Sequence, residues 1–123
     1  MDKSLRNKVV EYINNQYGAE AEYPWEKYPD YAVFRHTNNK KWFALIMSVG
    51  RDKVGVSGEG LIDVINLKIN DPILHDELVH EDGISRGYHM NKQHWISVLL
   101  DGTVSEDKVN NLIDISFMAT TGK

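Results

Sequence analysis

Apolar residues recur at every fourth position over the first stretch of the chain. Leu5, Val9, Ile13 and Tyr17 share one face of an expected helix over residues 3–17, and Gly18 supplies its stop. Pro24 and Pro29 then break regular structure through residues 19–30. Beyond them the period changes. Residues 31–36 and 41–48 read as two strands around Thr37-Asn38-Asn39-Lys40, whose asparagines tolerate the positive φ of a tight hairpin. Gly50, Gly55, Gly58 and Gly60 mark a loop or a distorted short strand around Lys53–Val56. Residues 61–69 read as a strand, with Leu61, Ile65, Leu67 and Ile69 largely on one face.

Asp71 as N-cap and Pro72 in the first turn predict a helix over 72–82. It turns Ile73, Leu74, Leu78 and Val79 inward and stops at Gly83. A strand over 95–100 and the turn Asp101-Gly102 follow. Ser105 caps a last helix with the stripe Val109, Leu112, Ile113 and Phe117. The order is α-β-β-β-α-β-α. Hairpin-linked strands imply a mainly antiparallel sheet with helices covering a face, an α+β fold. No repeat, linker or low-complexity tract interrupts it, so residues 1–123 form one domain, long enough to bury roughly two-thirds of the unfolded surface.

Composition narrows the chemistry. Cysteine is absent, which excludes disulfides, thiolate metal sites and thiol nucleophiles and fits a cytoplasmic protein. The start Met1-Asp2-Lys3-Ser4-Leu5-Arg6 carries no apolar signal-peptide core. No apolar run approaches the ~20 residues that cross a bilayer, so no membrane partner is expected. The net charge of −4 argues against nucleic acid, but its distribution does not. Residues 35–58 and 83–100 hold seven cations against one acid, leaving a strongly acidic remainder. A basic face can attract anions despite a negative total.

The densest functional signal is Gly87-Tyr88-His89-Met90-Asn91-Lys92-Gln93-His94-Trp95, which sets rings, imidazoles, amides and a cation just ahead of a strand. Cations neutralise phosphates, amides bond phosphate oxygens or base edges, and rings stack. Candidate anion-binding residues are therefore Arg35, His36, Lys40, Lys41, Arg86, Tyr88, His89, Asn91, Lys92 and His94. Lys40, Lys41, Arg86 and Lys92 are expected on one positive surface. The same segment also fits a structural role, with Trp95 and Tyr88 packing the sheet and His89 and Asn91 satisfying backbone groups.

Other chemistries fit less well. His89 and His94 lie five apart, which matches neither a helical pair nor a zinc signature, so neither a metal nor another cofactor is expected. Ser97, Asp63 and Asp101 offer imaginable acid–base partners to the histidines. The chain shows no nucleophile elbow, phosphate-cradling glycine loop or paired carboxylates, and the reading is non-enzymatic. Trp25, Tyr28, Tyr31 and Trp42 crowd one hairpin and keep open a second class, a protein- or peptide-binding adaptor.

Several segments together resemble the MmcQ/YjbR-like family over nearly the whole length. They are Pro24-Trp25, Lys41-Trp42-Phe43-Ala44, Asn66-Leu67-Lys68 before Asp71-Pro72, and Gly87-Tyr88-His89-Met90-Asn91-Lys92 with His94-Trp95. Leu100-Asp101-Gly102 and Leu112-Ile113-Asp114 with Ser116-Phe117 complete the set. The Tyr-His-x-Asn-Lys-x-x-Trp core is specific, whereas Leu-Asp-Gly by itself is weak. The resemblance implies a fold similar to secretion-chaperone-like proteins, and DNA binding through a double-wing architecture. It also implies, by analogy with chaperone-like sheets that dimerise, the adaptor alternative. Where the family commonly has proline this chain has Arg86, which frees the backbone before Tyr88 and adds a cation. Ligand identity, sequence preference, pathway and the choice between monomer and weak dimer are open at this level.

Overall fold

The computed structural model describes residues 4–121. Helix α1 (Leu5–Tyr17) leads into strands β1 (Ala32–Arg35) and β2 (Trp42–Gly50), a 3₁₀ turn at Arg51–Val54, and β3 (Leu61–Lys68). Helix α2 (Pro72–Leu78), strands β4 (Ile84–Arg86) and β5 (Trp95–Leu99), and helix α3 (Glu106–Thr120) complete the chain. The five strands form one antiparallel sheet in the order β1-β2-β3-β5-β4. Local chemistry sets the helix ends. Ser4 and Ser105 accept hydrogen bonds from Asn7 and Lys108 backbone N–H groups, and Gly18 closes α1 in the left-handed conformation. Lys3, where the sequence places the start of the first helix, lies outside the described residues.

Register assembles two cores. On one face Ala32, Phe34, Ala44, Ile46, Ile65, Leu67, Ile96 and Val98 meet across the strands and pack against Val9 and Ile13 of α1 and Val109, Leu112 and Ile113 of α3. On the other, Val33, Leu45, Met47, Val49, Ile62, Val64 and Leu99 form a second cluster under irregular segments, with Trp25, Tyr31, Val54, Tyr88 and Met90 packed on it. The near-continuous apolar run of β2 follows from burial on both faces. At Phe43 the register slips by one residue, leaving an extra position on β2. Ser116 of α3 satisfies the distorted backbone there, donating to the Phe43 carbonyl at 2.6 Å and accepting from Lys68 N–H at 2.8 Å.

Four expectations change. β4 is a strand that no sequence pattern announced, because three residues are too few to show a period. Helix α2 ends at Leu78 instead of continuing to residue 82, and a turn-rich passage reaches Gly83. Its Ile73 points to solvent at 73% exposure; His75 takes the inward position, donating from Nε2 to the Trp95 carbonyl at 3.0 Å. Leu61, at the outer end of β3, shares the strand's parity but lies beyond the helices and is 66% exposed. Among the described residues no helix is long and apolar enough to cross a membrane.

Candidate nucleic-acid interface

The Gly87–Trp95 segment is a tight excursion between β4 and β5. Gly87 N–H returns to the Trp95 carbonyl, and Trp95 N–H to that of Asn91, both at 2.9 Å. The Asn91 side chain caps the turn by accepting from Gln93 N–H. His89 sits at φ 64°, a left-handed conformation that histidine tolerates better than most residues.

Beneath the turn lies a buried polar pair. Asn66 of β3 and Ser97 of β5 face each other in register, both essentially without exposure. Ser97 Oγ donates to Asn66 Oδ1 at 2.5 Å and accepts from Tyr88 N–H at 2.9 Å, while Asn66 Nδ2 donates to the Tyr88 carbonyl at 2.8 Å. Both backbone groups of Tyr88 are thereby fixed to the sheet. Unpaired polar groups at such depth are costly, so the pair specifies where the turn sits.

This anchoring shapes an open hollow of about 360 Å³, lined by Lys53, Val54, Gly55, Val79, Ser85, Arg86, Tyr88 and Lys92. Three cations therefore border one concavity. Arg86 and Lys92 are exposed, and Lys92 Nζ also donates to the Gly87 carbonyl at 2.9 Å. Lys53 belongs to the basic stretch of the sequence but not to the candidate residues, since only folding of the 3₁₀ turn over the sheet brings it here. Acids bound the site. Asp52 lies 4.0 Å from Lys53 Nζ, and Glu81 and Asp82 line a neighbouring hollow.

The candidate residues divide into two groups. Lys40 and Lys41, at the hairpin tip, lie at the same end of the strands as Arg86, but on the other side of the sheet. Three inter-strand steps separate β2 from β4, roughly 14–15 Å. They do not make one cluster with Arg86 and Lys92. Arg35 pairs with Glu22 at 3.3 Å and lies 5.8 Å above the Trp42 ring. His89, Asn91 and His94 are exposed around the anchored turn.

His36 is a correction. Strand alternation from Phe34 turns its ring to the helical side, where it is only 4% exposed, 4.2 Å from the Phe117 ring and with Nε2 2.6 Å from Thr120 Oγ1. It is a core residue. Burial, reinforced by nearby Lys41, lowers its pKa, though a backbone hydrogen bond at Phe117 opposes this. A histidine with a depressed folded pKa binds its proton more readily when unfolded, so its contribution to stability is lost as pH falls. Thermal melts should therefore show a decline beginning near the ordinary histidine value of about 6.5. His36→Gln should flatten that part of the profile. An unchanged profile in the variant would exclude His36 as the source.

The aromatic residues that the sequence offered to a protein partner line the same sheet face as Tyr88. Trp25 stands edge-on to Trp42 and Tyr31 at 5.7 and 6.1 Å, Tyr28 stacks on Tyr31 at 4.6 Å, and Tyr88 lies 4.0 Å from His89. Among the described residues no group of three or more histidines and carboxylates stands close enough to hold a metal ion.

Known proteins resemble this chain over nearly its whole length. An uncharacterized protein of Bacillus subtilis (strain 168), YyaQ, is 47% identical over 115 residues, spanning 94% of this chain and 97% of its own. A crystal structure of a Pseudomonas syringae protein superposes with a TM-score of 0.90 at 43% identity, covering 98% of this chain and 99% of that one. A Deinococcus radiodurans protein gives 0.72 at 25% identity, over 98% of this chain and 80% of that one. Residues 15–119, from the end of α1 to the last turn of α3, match the YjbR family. The hairpin, the anchored Tyr88 turn and nearly all of α3 fall within that span, and the chain belongs to the YjbR family.

Proposed function

We propose that the protein is a non-enzymatic DNA-binding protein that contacts phosphates through the hollow between β4, the 3₁₀ turn and the Tyr88 turn. One observation carries the reading: Lys53, Arg86 and Lys92 converge on a concavity whose wall, the Tyr88 backbone, is held rigid by Asn66 and Ser97. Three cations can displace about three counterions, and the flanking Glu81 and Asp82 limit the footprint to a few phosphates. Among the described residues no helix offers a free basic face to a major groove: Arg6 and Lys8 of α1 already pair with Asp63 and Glu106. Helix α2 and the turn after it carry Asp76, Glu77, Glu81 and Asp82, and the last helix carries Glu106, Asp107 and Asp114. Contacts are therefore with backbone phosphates and little with base edges.

Binding should be sequence-tolerant, with dissociation constants of roughly 10⁻⁴ to 10⁻⁶ M and a logarithmic salt slope of about −2 to −3. Lys92→Ala and Arg86→Ala should each reduce that slope by about one. Anisotropy titrations at low and moderate salt measure this, with melting temperatures confirming that the variants stay folded. No binding at low salt, or equal binding by wild type and both variants, would leave the partially exposed Trp25–Trp42 aromatic cluster, and hence a protein-binding adaptor, as the better reading.

A further inference from the structure

We infer that the ligand is single-stranded DNA, its bases stacking along the aromatic row on the sheet face opposite the helices. This rests on the phosphate-binding reading above and names the form of DNA that the site takes. The row's members come from three separate segments and form two ring groups, both packed on the second core cluster. Trp42 on β2 with Trp25, Tyr28 and Tyr31 makes one group, and Tyr88 with His89 makes the other, at the cationic hollow. Tyr31 and Tyr88 are electrostatic neighbours: after burial, the Tyr88 charge is the next cause raising the Tyr31 hydroxyl's pKa. All six rings keep some exposure, and Tyr28, at 49%, and His89 present the most open faces.

Trp25, Tyr31, Trp42 and Tyr88 pack on the second core but stay partly exposed, unlike Phe34 and Phe43 on the helical side. Partly open rings beside cations suit a strand whose bases are free to stack, because every base has a π-face and the sugar–phosphate chain runs alongside. A duplex keeps its bases stacked on one another and offers these rings nothing. Charge also bears on placement. Glu26 and Asp30 outweigh Lys27 around Tyr28, and Glu22 already pairs with Arg35. Phosphates are therefore favoured at the Lys53–Arg86–Lys92 hollow.

The test compares three fluorescent probes of equal length at low salt: oligothymidine, an abasic strand with the same phosphates, and a hairpin duplex. Oligothymidine should bind about tenfold more tightly than the abasic strand, the value of roughly one stacked base. Tyr28→Ala and His89→Asn should each weaken oligothymidine binding several-fold while leaving the abasic strand unaffected. Asparagine keeps the left-handed backbone at position 89 accessible, and Tyr28→Phe should restore binding if stacking is the cause. Equal affinity for oligothymidine and the abasic strand, tighter binding of the duplex, or unaffected variants would overturn the inference. If the strands bind equally but Lys92→Ala weakens both, stacking fails while the phosphate reading stands. Binding to none of the three probes removes both.

Discussion

Asn66→Ala should destabilise the protein by roughly 3 kcal/mol, with a melting temperature lower by about 10 °C or more. The residue is fully buried at the middle of β3, on the face covered by the Tyr88 turn. Truncation removes the partner of the Tyr88 carbonyl and the acceptor of the Ser97 hydroxyl, each left in a site closed to water. An orphaned buried polar group costs about 1–3 kcal/mol, and the missing amide leaves a void besides. Ser97→Ala should cost less: it unpairs Tyr88 N–H and Asn66 Oδ1, but Asn66 keeps its bond to the Tyr88 carbonyl and the smaller truncation leaves less of a void. The double variant should be less destabilised than the two singles combined, because one network is lost once. Chemical denaturation of the three variants measures this coupling. Additive effects, or a loss below about 1 kcal/mol for Asn66→Ala, would show that the turn is held by something other than this pair. Under the proposed function, DNA affinity should fall in parallel, since Tyr88, Arg86 and Lys92 take their positions from the same anchored turn.

The chain's periodicities made most of the fold legible. Four-residue spacing and the stop at Gly18 defined α1, the Ser105 cap and its apolar stripe defined α3, and alternation around Asn38-Asn39 defined the β1–β2 hairpin. What escaped depends on pairing across the chain. β4 exists because β5 offers it a ladder, and Ile84-Ser85-Arg86 has no signal of its own. His36 reads as a polar residue near a basic hairpin, yet its parity with Phe34 sends it into the core. Seven cations in two windows announced a basic character, but which of them meet is set by strand order. That order puts Lys53 beside Arg86 and leaves Lys40 and Lys41 across the sheet. Ser97 reads as an imaginable acid–base partner of the histidines and Asn66 as part of the Asn66-Leu67-Lys68 segment that carries the resemblance. Only the β3–β5 pairing shows that each completes the other's hydrogen bonding.

Gly87 supplies a second large effect, for a reason unrelated to backbone freedom. Its φ is not among the positive ones, so alanine is conformationally permitted there. What forbids a side chain is proximity. A Cβ at residue 87 would lie 2.6 Å from the Cβ of Trp95 and 3.1 Å from the Trp95 carbonyl carbon and oxygen. The backbone cannot retreat easily, because Gly87 N–H donates to that same carbonyl, which also accepts from buried His75. Gly87→Ala should therefore part β4 from β5 at the foot of the turn and cost about 2–3 kcal/mol, in the range of an overpacked core. The strain should be local. Arg86 and Tyr88 flank the altered residue, so the hollow they line should change shape, and under the proposed function affinity for DNA should drop even in molecules that remain folded. Gly83 gives the comparison, since its φ of 86° and a Cβ approach of 2.8 Å to Val104 combine both penalties at the other end of β4. Gly83→Ala should destabilise at least as much while leaving DNA affinity of the folded fraction near wild type. Hydrogen exchange of the Gly87 amide, measured with denaturation midpoints for the two variants, separates them. Gly87→Ala with wild-type stability and a fully protected residue 87 amide would mean that Trp95 yields without disturbing the turn, and the close approach would then not constrain the site.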